Sequence, residues 1–209
     1  MAGRDEQRNF RGLRLAPHWQ IVLPGDGGVP EGSLRPLLVS TGAGFGVGTH
    51  PTTQLCLLAL GHLLRAYPTP ARVLDFGAGS GILGIAAARH ARAKVEAVEI
   101  DEAAREHARQ TAHLNGVSAL VSVRETLSEP PSTFDLVVAN ILRQVLLDYA
   151  DALCARQSRA GHMVLSGLLA TDVPAILARY SPELAPMRPG VYERGEWRAV
   201  LYSGRPTES

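Results

Sequence analysis

Five residues, Gly77-Ala78-Gly79-Ser80-Gly81, follow directly on the apolar run "RVLDF" and lead into "ILGIAAA". Glycine permits the tight backbone angles of a strand-to-helix turn and lets a ligand approach the main chain, so the loop reads as a nucleotide cradle. Glu99 ends the run "KVEAVE" about 20 residues on, where a carboxylate can accept hydrogen bonds from ribose hydroxyls. Gly79, Gly81 and Gly84 also satisfy the G-x-G-x-x-G dinucleotide pattern, so a nicotinamide dinucleotide and S-adenosylmethionine compete for the site. Asp75 separates them. It is the last polar side chain before the glycines, where a carboxylate repels a diphosphate but accepts from the ammonium of an amino-acid tail. A dinucleotide fold also repeats its mononucleotide half, whereas the later run "FDLVVANIL" brings no second glycine loop. Asp75 and Glu99 together favour S-adenosylmethionine, with S-adenosylhomocysteine as product; an NAD-dependent oxidoreductase is the alternative. The plainer readings are that Asp75 caps local N–H groups and that Glu99 is a solvated strand end.

The elements that must position these residues alternate regularly. Strands are expected at 72–76, 94–100, 120–125, 134–140, 162–168 and 196–203. Helices are expected over about 81–91, 101–115, 142–155 and 170–180. On the second of these helices Ala104, Ala108 and Ala112 line one face, while Glu102, Arg105, Glu106 and Arg109 face water. Asn115-Gly116 makes a left-handed stop. Such alternation specifies a doubly wound, mostly parallel α/β sheet with right-handed crossovers. The last two strands, with little helix between them, pair antiparallel after a Pro-rich segment at 182–190. Ahead of this lies a helix beginning at Pro51, a good first helical position, and ending before Pro68. Residues 13–39 carry short β-prone runs and a turn at Gly25-Asp26-Gly27-Gly28, a hairpin or small β-layer. Residues 1–12 form a polar tail.

Composition narrows the function. At 209 residues with 45% hydrophobic and 20% charged residues, the chain has the makings of one globular domain with a full core. A net charge of +1 gives no general attraction to nucleic acid or anionic membrane. No apolar run approaches the ~20 residues of a membrane span, and the charged start lacks a secretory core. Cys56 and Cys154 lie in apolar helical runs, which reads as buried thiols in a reducing compartment, so a cytoplasmic location is expected. The seven histidines show no i, i+4 pair, so no metal site is expected. Ala78 stands where a nucleophile elbow around Ser80 would need glycine. The arginines of residues 4–14 could touch RNA, but read first as part of a solvated tail.

With "VLDFGAGSGILGIAAA", "AVEID", "NGV", "FDLVVANIL" and "GFGVGTHPTT" in order, the chain resembles the bacterial methyltransferases that modify lysines of ribosomal large-subunit protein eleven. The likeness runs from about Leu13 to Tyr202, and "GxGTHPTT" is its most specific part. It implies a seven-stranded class I, Rossmann-like methyltransferase fold, with residues 1–40 as tail and small β-layer and 41–209 as catalytic domain. It implies a protein amine as acceptor, a lysine side chain or an N-terminal amine, with ribosomal protein as a candidate substrate and neither membrane nor direct nucleic-acid contact. The cofactor would be held by Thr49, Asp75, Gly77, Gly79, Gly81, Glu99 and Asn140. The segment before His50 would act as a lid, and the helix start at Pro51-Thr52-Thr53 could hold a carboxylate. The alternative is plain capping by Thr49 or His50.

Asn140 is the catalytic candidate. Related amino-methylating enzymes keep an Asn or Asp there to accept a hydrogen bond from the target nitrogen; capping of the next helix is the plain alternative. Ile141-Leu142 follow instead of the prolines and aromatic that stack an extruded base, which points to an aliphatic amine. The reaction implied is in-line displacement of the sulfonium methyl by a neutral nitrogen, with His50 a conceivable proton acceptor. Three departures from the family stand out: fewer than 50 residues precede Gly44, implying an absent or reduced recruiting domain; Val47 replaces the usual Thr; and Glu99 replaces the commoner Asp. A cofactor-binding subunit without catalysis and a small-molecule methyltransferase are the further alternatives.

Overall fold

The computed structural model describes residues 13–15, 19–22, 35–39, 48–67, 69–129 and 131–203. The polar tail, the turn at 25–28 and the lid segment up to Val47 lie outside them. A small sheet comes first: β1 (Leu13–Leu15), β2 (Trp19–Val22) and β3 (Arg35–Leu38). β1 and β2 are antiparallel, but β2 and β3 run parallel, with Ile21 beside Leu37. β2 and β3 are therefore not the two arms of one hairpin, and of the two expectations it is the small β-layer that is found. Helix α1 (Pro51–Ala66) follows, capped by His50 and ending two residues before Pro68.

The main sheet then begins. β4 (Arg72–Phe76), α2 (Ile82–Ala91), β5 (Lys94–Val98), α3 (Glu102–Leu114), β6 (Val121–Arg124) and β7 (Phe134–Asn140) reproduce the expected alternation. The helix expected over 142–155 is bent into α4 (Arg143–Asp148) and α5 (Ala150–Arg156), with Tyr149 at the break. β8 (Gln157–Leu169), a 3₁₀ turn at Ala170–Asp172, α6 (Val173–Tyr180), β9 (Arg188–Arg194) and β10 (Trp197–Ser203) complete the chain. β9 overlaps the end of the Pro-rich segment 182–190. As the outermost strand it can hold Pro189, because an edge strand tolerates a missing N–H.

The strand order is β6-β5-β4-β7-β8-β10-β9, parallel throughout except for β10, which is antiparallel to both β8 and β9. This is the seven-stranded, doubly wound sheet expected of a class I methyltransferase. Successive residues of the buried strands face opposite sides, as the pleat requires. Val73, Val95, Leu136 and Val138 pack with α1 and α2, whereas Leu74, Val137 and Ala139 pack with α4, α5 and α6. The small sheet joins the first of these cores through Trp19, Ile21, Leu37 and Val39, and Trp19 Nε1 donates to Leu57 O at 2.9 Å. From β4 the chain goes to one side for β5 and β6 and then returns to the other side as β7. That reversal opens a crevice at the carboxyl ends of β4, β5 and β7, where α/β proteins bind ligands.

Candidate active site

The crevice is a cavity of ≈ 820 Å³. Each strand end supplies a predicted site residue: Gly77 and Gly79 after β4, Glu99 after β5 and Asn140 at the end of β7. Gly77 has φ +72°, and a Cβ there would run into the Ile141 side chain, so glycine is required on both counts. Glu99 Oε2 accepts from Gly79 N–H at 2.9 Å and Oε1 from Asp101 N–H at 3.0 Å. The carboxylate thus spans the opening between the glycine loop and the start of α3. A recess of ≈ 30 Å³ shares Gly77, Gly79 and Asn140 with the cavity and is lined also by Thr53 and Ser80.

Three of the predicted cofactor residues stand outside the cavity wall. Gly81 is the N-cap of α2, φ +75°, with Ala108 and Ile85 close behind it. Thr49 is exposed, and its carbonyl accepts from Gln54 Nε2 at 2.6 Å. Asp75 is only 1% exposed, and its Oδ2 accepts from Gly84 N–H at 2.8 Å. The pleat puts Asp75 on the same face as Val73, beneath α2, and gives the cavity wall to Phe76. Burial pushes the Asp75 carboxyl up to about 7; the Gly84 N–H pulls it down, and the charge of Glu99 raises it. Asp75 thus caps a local N–H group, as its plainer reading has it.

Arg105 is a correction to the sequence reading. It does not face water: it is 8% exposed, and its Nη1 donates to the carbonyls of Glu99 at 2.8 Å and Ile100 at 2.9 Å. Its other nitrogen pairs with Glu102. The guanidinium therefore holds from behind the segment that aims Glu99 and Ile100 at the cavity. Of the two thiols, Cys56 is buried and pushed up to about 12 by that burial, whereas Cys154 is only half-buried.

Sequence reasoning missed the apolar walls. Phe76, Ile100, Leu142, Val145, Tyr149 and Trp197 line the cavity, with Ile100 83% and Leu142 74% exposed. No aromatic follows Asn140 directly, yet two rings arrive from elsewhere: Tyr149 packs on Phe76 at 4.9 Å and Trp197 on His50 at 4.9 Å. The only local hint was Ile100, an apolar residue placed between Glu99 and Asp101.

His50 caps α1, with Nδ1 2.8 Å from Thr52 Oγ1 and accepting from Thr52 N–H. Among the described residues, no group of three His, Cys, Asp or Glu could hold a metal ion, and no helix is long and apolar enough to cross a membrane.

Residues 20–204 match the family described as ribosomal protein L11 methyltransferase (PrmA). The chain belongs to that family. The ribosomal protein L11 methyltransferase of Pelobacter propionicus is 38% identical over 198 residues, covering 93% of this chain and 63% of the relative. That of Dechloromonas aromatica is 39% identical over 175 residues, covering 84% and 57%. The chain thus spans about 60% of the length of these family members. A crystal structure of ribosomal protein L11 methylase from Lactobacillus delbrueckii subsp. bulgaricus aligns with TM-score 0.80 and 29% identity, over 93% of this chain and 97% of that one. An RNA methyltransferase from Salinibacter ruber, solved with S-adenosyl-L-homocysteine, shares the fold at TM-score 0.54 and 21% identity, over 74% and 92% of the two chains.

Proposed function

We propose that this chain is an S-adenosylmethionine-dependent N-methyltransferase acting in the cytoplasm on a protein amine, a lysine side chain or an N-terminal amine. The names of its relatives make ribosomal protein L11 the acceptor to test first. Residues 41–209 would be the catalytic domain and 1–40 its β-rich extension. One observation carries the reading: Gly77, Gly79, Glu99 and Asn140 converge on one cavity whose described lining includes a carboxylate and no Lys or Arg. A ligand with a sulfonium and an ammonium suits that wall.

Bound there, S-adenosylmethionine would supply a methyl group activated on a positive sulfur. Glu99 would take ribose hydroxyls, and Gly77 and Gly79 would let the ligand close on the main chain, with Gly81 and Asp75 supporting that loop from behind. Asn140 would accept a hydrogen bond from the incoming nitrogen. A lysine ammonium with pKa ~10.4 costs about 4–5 kcal/mol to deprotonate at neutral pH. The apolar walls reduce that cost, because desolvation disfavours the charged form. Holding nitrogen, methyl and sulfur in line can lower the barrier by about 7–11 kcal/mol.

The test is incubation of the full chain with methyl-labelled S-adenosylmethionine and purified ribosomal protein L11, with a bacterial lysate in parallel. Label is expected on L11. Asn140→Ala is expected to abolish transfer while calorimetry shows cofactor affinity within about twofold of wild type, since its amide is assigned to the acceptor nitrogen. Tight NAD uptake with no S-adenosylmethionine binding would overturn the reading.

A further inference from the structure

The cations of the fold are sorted by end. Near the carboxyl ends of the strands, Arg105, Arg124, Arg143 and Arg198 each form an ion pair with a carboxylate. At the amino ends the pattern is reversed. Arg72 opens β4, Lys94 opens β5, Arg159 lies at the start of β8 and Arg188 opens β9. All four are exposed, and none forms an ion pair with a described residue. Arg72 and Lys94 stand side by side in the β4–β5 ladder. β9 is antiparallel to β10 and β10 to β8, so Arg188 falls at the same end as Arg159. The four make a row along one edge of the sheet, from β5 to β9, spanning about 24 Å at about 4.8 Å per strand.

Local causes do not account for the row. Arg65 and Arg92, at the C-terminal ends of α1 and α2, answer the helix dipoles there. A strand start carries only a small dipole, so the edge cations have no such reason. Arg72 Cζ lies 5.1 Å from the centre of the Phe134 ring, the first residue of β7, which anchors the guanidinium in the gap between β4 and β8. Asp135 brings a carboxylate to this edge, but it is half-buried. It accepts from the N–H groups of Ala71 and Arg72 at 3.0 Å and from the Ser158 hydroxyl at 3.4 Å. Glu129 and Glu183 belong to the α5 side, beside Arg156 and Cys154. Like charges in a row repel one another, and a line of anions would relieve that.

We propose that this edge, with Arg72, Lys94, Arg159 and Arg188, is a docking surface for the phosphate backbone of RNA. The backbone is a line of regularly spaced charges, as the row is. An anionic membrane would also draw apolar side chains into the lipid. The most exposed of these, Ile100 and Leu142, lie at the other end, around the cavity. The net charge of +1 averages over this separation and so conceals it. Arg72 and Phe76, first and last residues of β4, are about 13 Å apart on opposite ends of the sheet. RNA held at the edge stays out of the cavity, so it is a tether and not the methyl acceptor. The surface is independent of the methyl-transfer reading, and its occupancy is measured without cofactor.

The probe is a fluorescently labelled RNA hairpin, titrated with the full chain by anisotropy between about 50 and 200 mM KCl. Micromolar binding is expected at the lower salt, weakening about fiftyfold across the range, the slope for about four phosphate contacts. Arg72→Gln with Lys94→Gln, and Arg159→Gln with Arg188→Gln, are each expected to remove about half of that slope. The four changes together are expected to abolish binding, while Arg109→Gln, an ion-paired arginine of α3, binds as wild type. Methyl transfer to L11 is expected to be unchanged in all of them. The proposal is overturned by a wild type that takes up no hairpin at the lower salt, or by a quadruple variant that binds as wild type. Tighter uptake of polyglutamate or of phosphatidylglycerol vesicles than of the hairpin overturns it too, as does methyl label on the RNA. Should the quadruple variant lose its thermal unfolding transition, the two double variants decide, and a wild-type slope in both overturns the row. Intact RNA binding with no transfer to L11 overturns the functional reading alone.

Discussion

Asp75 and Glu99 belong to neighbouring parallel strands, yet only Glu99 looks into the cavity. The difference is one of parity along β4. Residue 76 faces the crevice, so residue 75 faces α2 and meets the Gly84 N–H instead. A carboxyl buried there with a pKa raised from 3.8 to about 7 binds a proton in the folded state over a range where the unfolded chain has released it. Its contribution to stability is therefore full below pH ~4 and is lost as pH rises to ~7, above which it is level. Asp75→Asn keeps an acceptor for Gly84 and cannot ionise. Urea midpoints are expected to show the variant gaining on wild type between pH 5 and pH 8. An equal offset at both pH values would refute the buried, proton-holding carboxyl.

At the scale of elements, the junction of β5 and α3 is the most tightly specified part of the site. Glu99 takes the N–H groups of Gly79 and Asp101, Asp101 caps α3 through Ala104 N–H at 2.7 Å, and Arg105 grips the carbonyls of residues 99 and 100. Strand end, turn and first helical turn thus form one hydrogen-bonded unit that fixes the direction of Glu99 and Ile100. Arg105→Met would leave the two carbonyls without their cation while keeping the apolar stem. S-adenosylmethionine binding is expected to weaken about tenfold, on the scale of one charge-assisted hydrogen bond, with Arg105→Lys intermediate. Calorimetry that finds unchanged affinity in Arg105→Met would show the segment holds its shape without the guanidinium.

For the molecule as a whole, the small sheet is bound to the rest of the fold by the Asn115 amide as well as by packing and the Trp19–Leu57 hydrogen bond. Asn115, 8% exposed at the end of α3, accepts from Leu38 N–H at 3.1 Å and from Arg89 Nη1 at 3.0 Å. It donates to Leu38 O at 2.7 Å and to Thr111 O at 2.8 Å. Its side chain thus serves β3 as a neighbouring strand would. Asn115→Ala orphans both polar groups of Leu38 and is expected to cost about 1–3 kcal/mol. For a chain of this size that lowers Tm by roughly 2–4 °C per kcal/mol. Hydrogen exchange should rise first in residues 35–39. Wild-type protection there, with unchanged Tm, would mean that Trp19 and its apolar neighbours suffice.

The amino-acid sequence by itself determined the alternation of strands and helices, the glycine loop, Glu99 and Asn140, because periodicity and turn residues are local properties and strand ends fall where those patterns stop. It also carried enough motif to place the chain in its family. Only the tertiary structure decided that Asp75 turns inward, that Arg105 lies beneath the site rather than in water, that Pro189 sits in an edge strand, and that Tyr149, Trp197 and Ile100 wall the cavity. Those outcomes depend on which strand lies beside which, in the order β6-β5-β4-β7-β8-β10-β9, and on contacts such as that of Thr53 with Asn140, 87 residues apart in the chain. A period tells which residues share a face; only packing tells what that face meets.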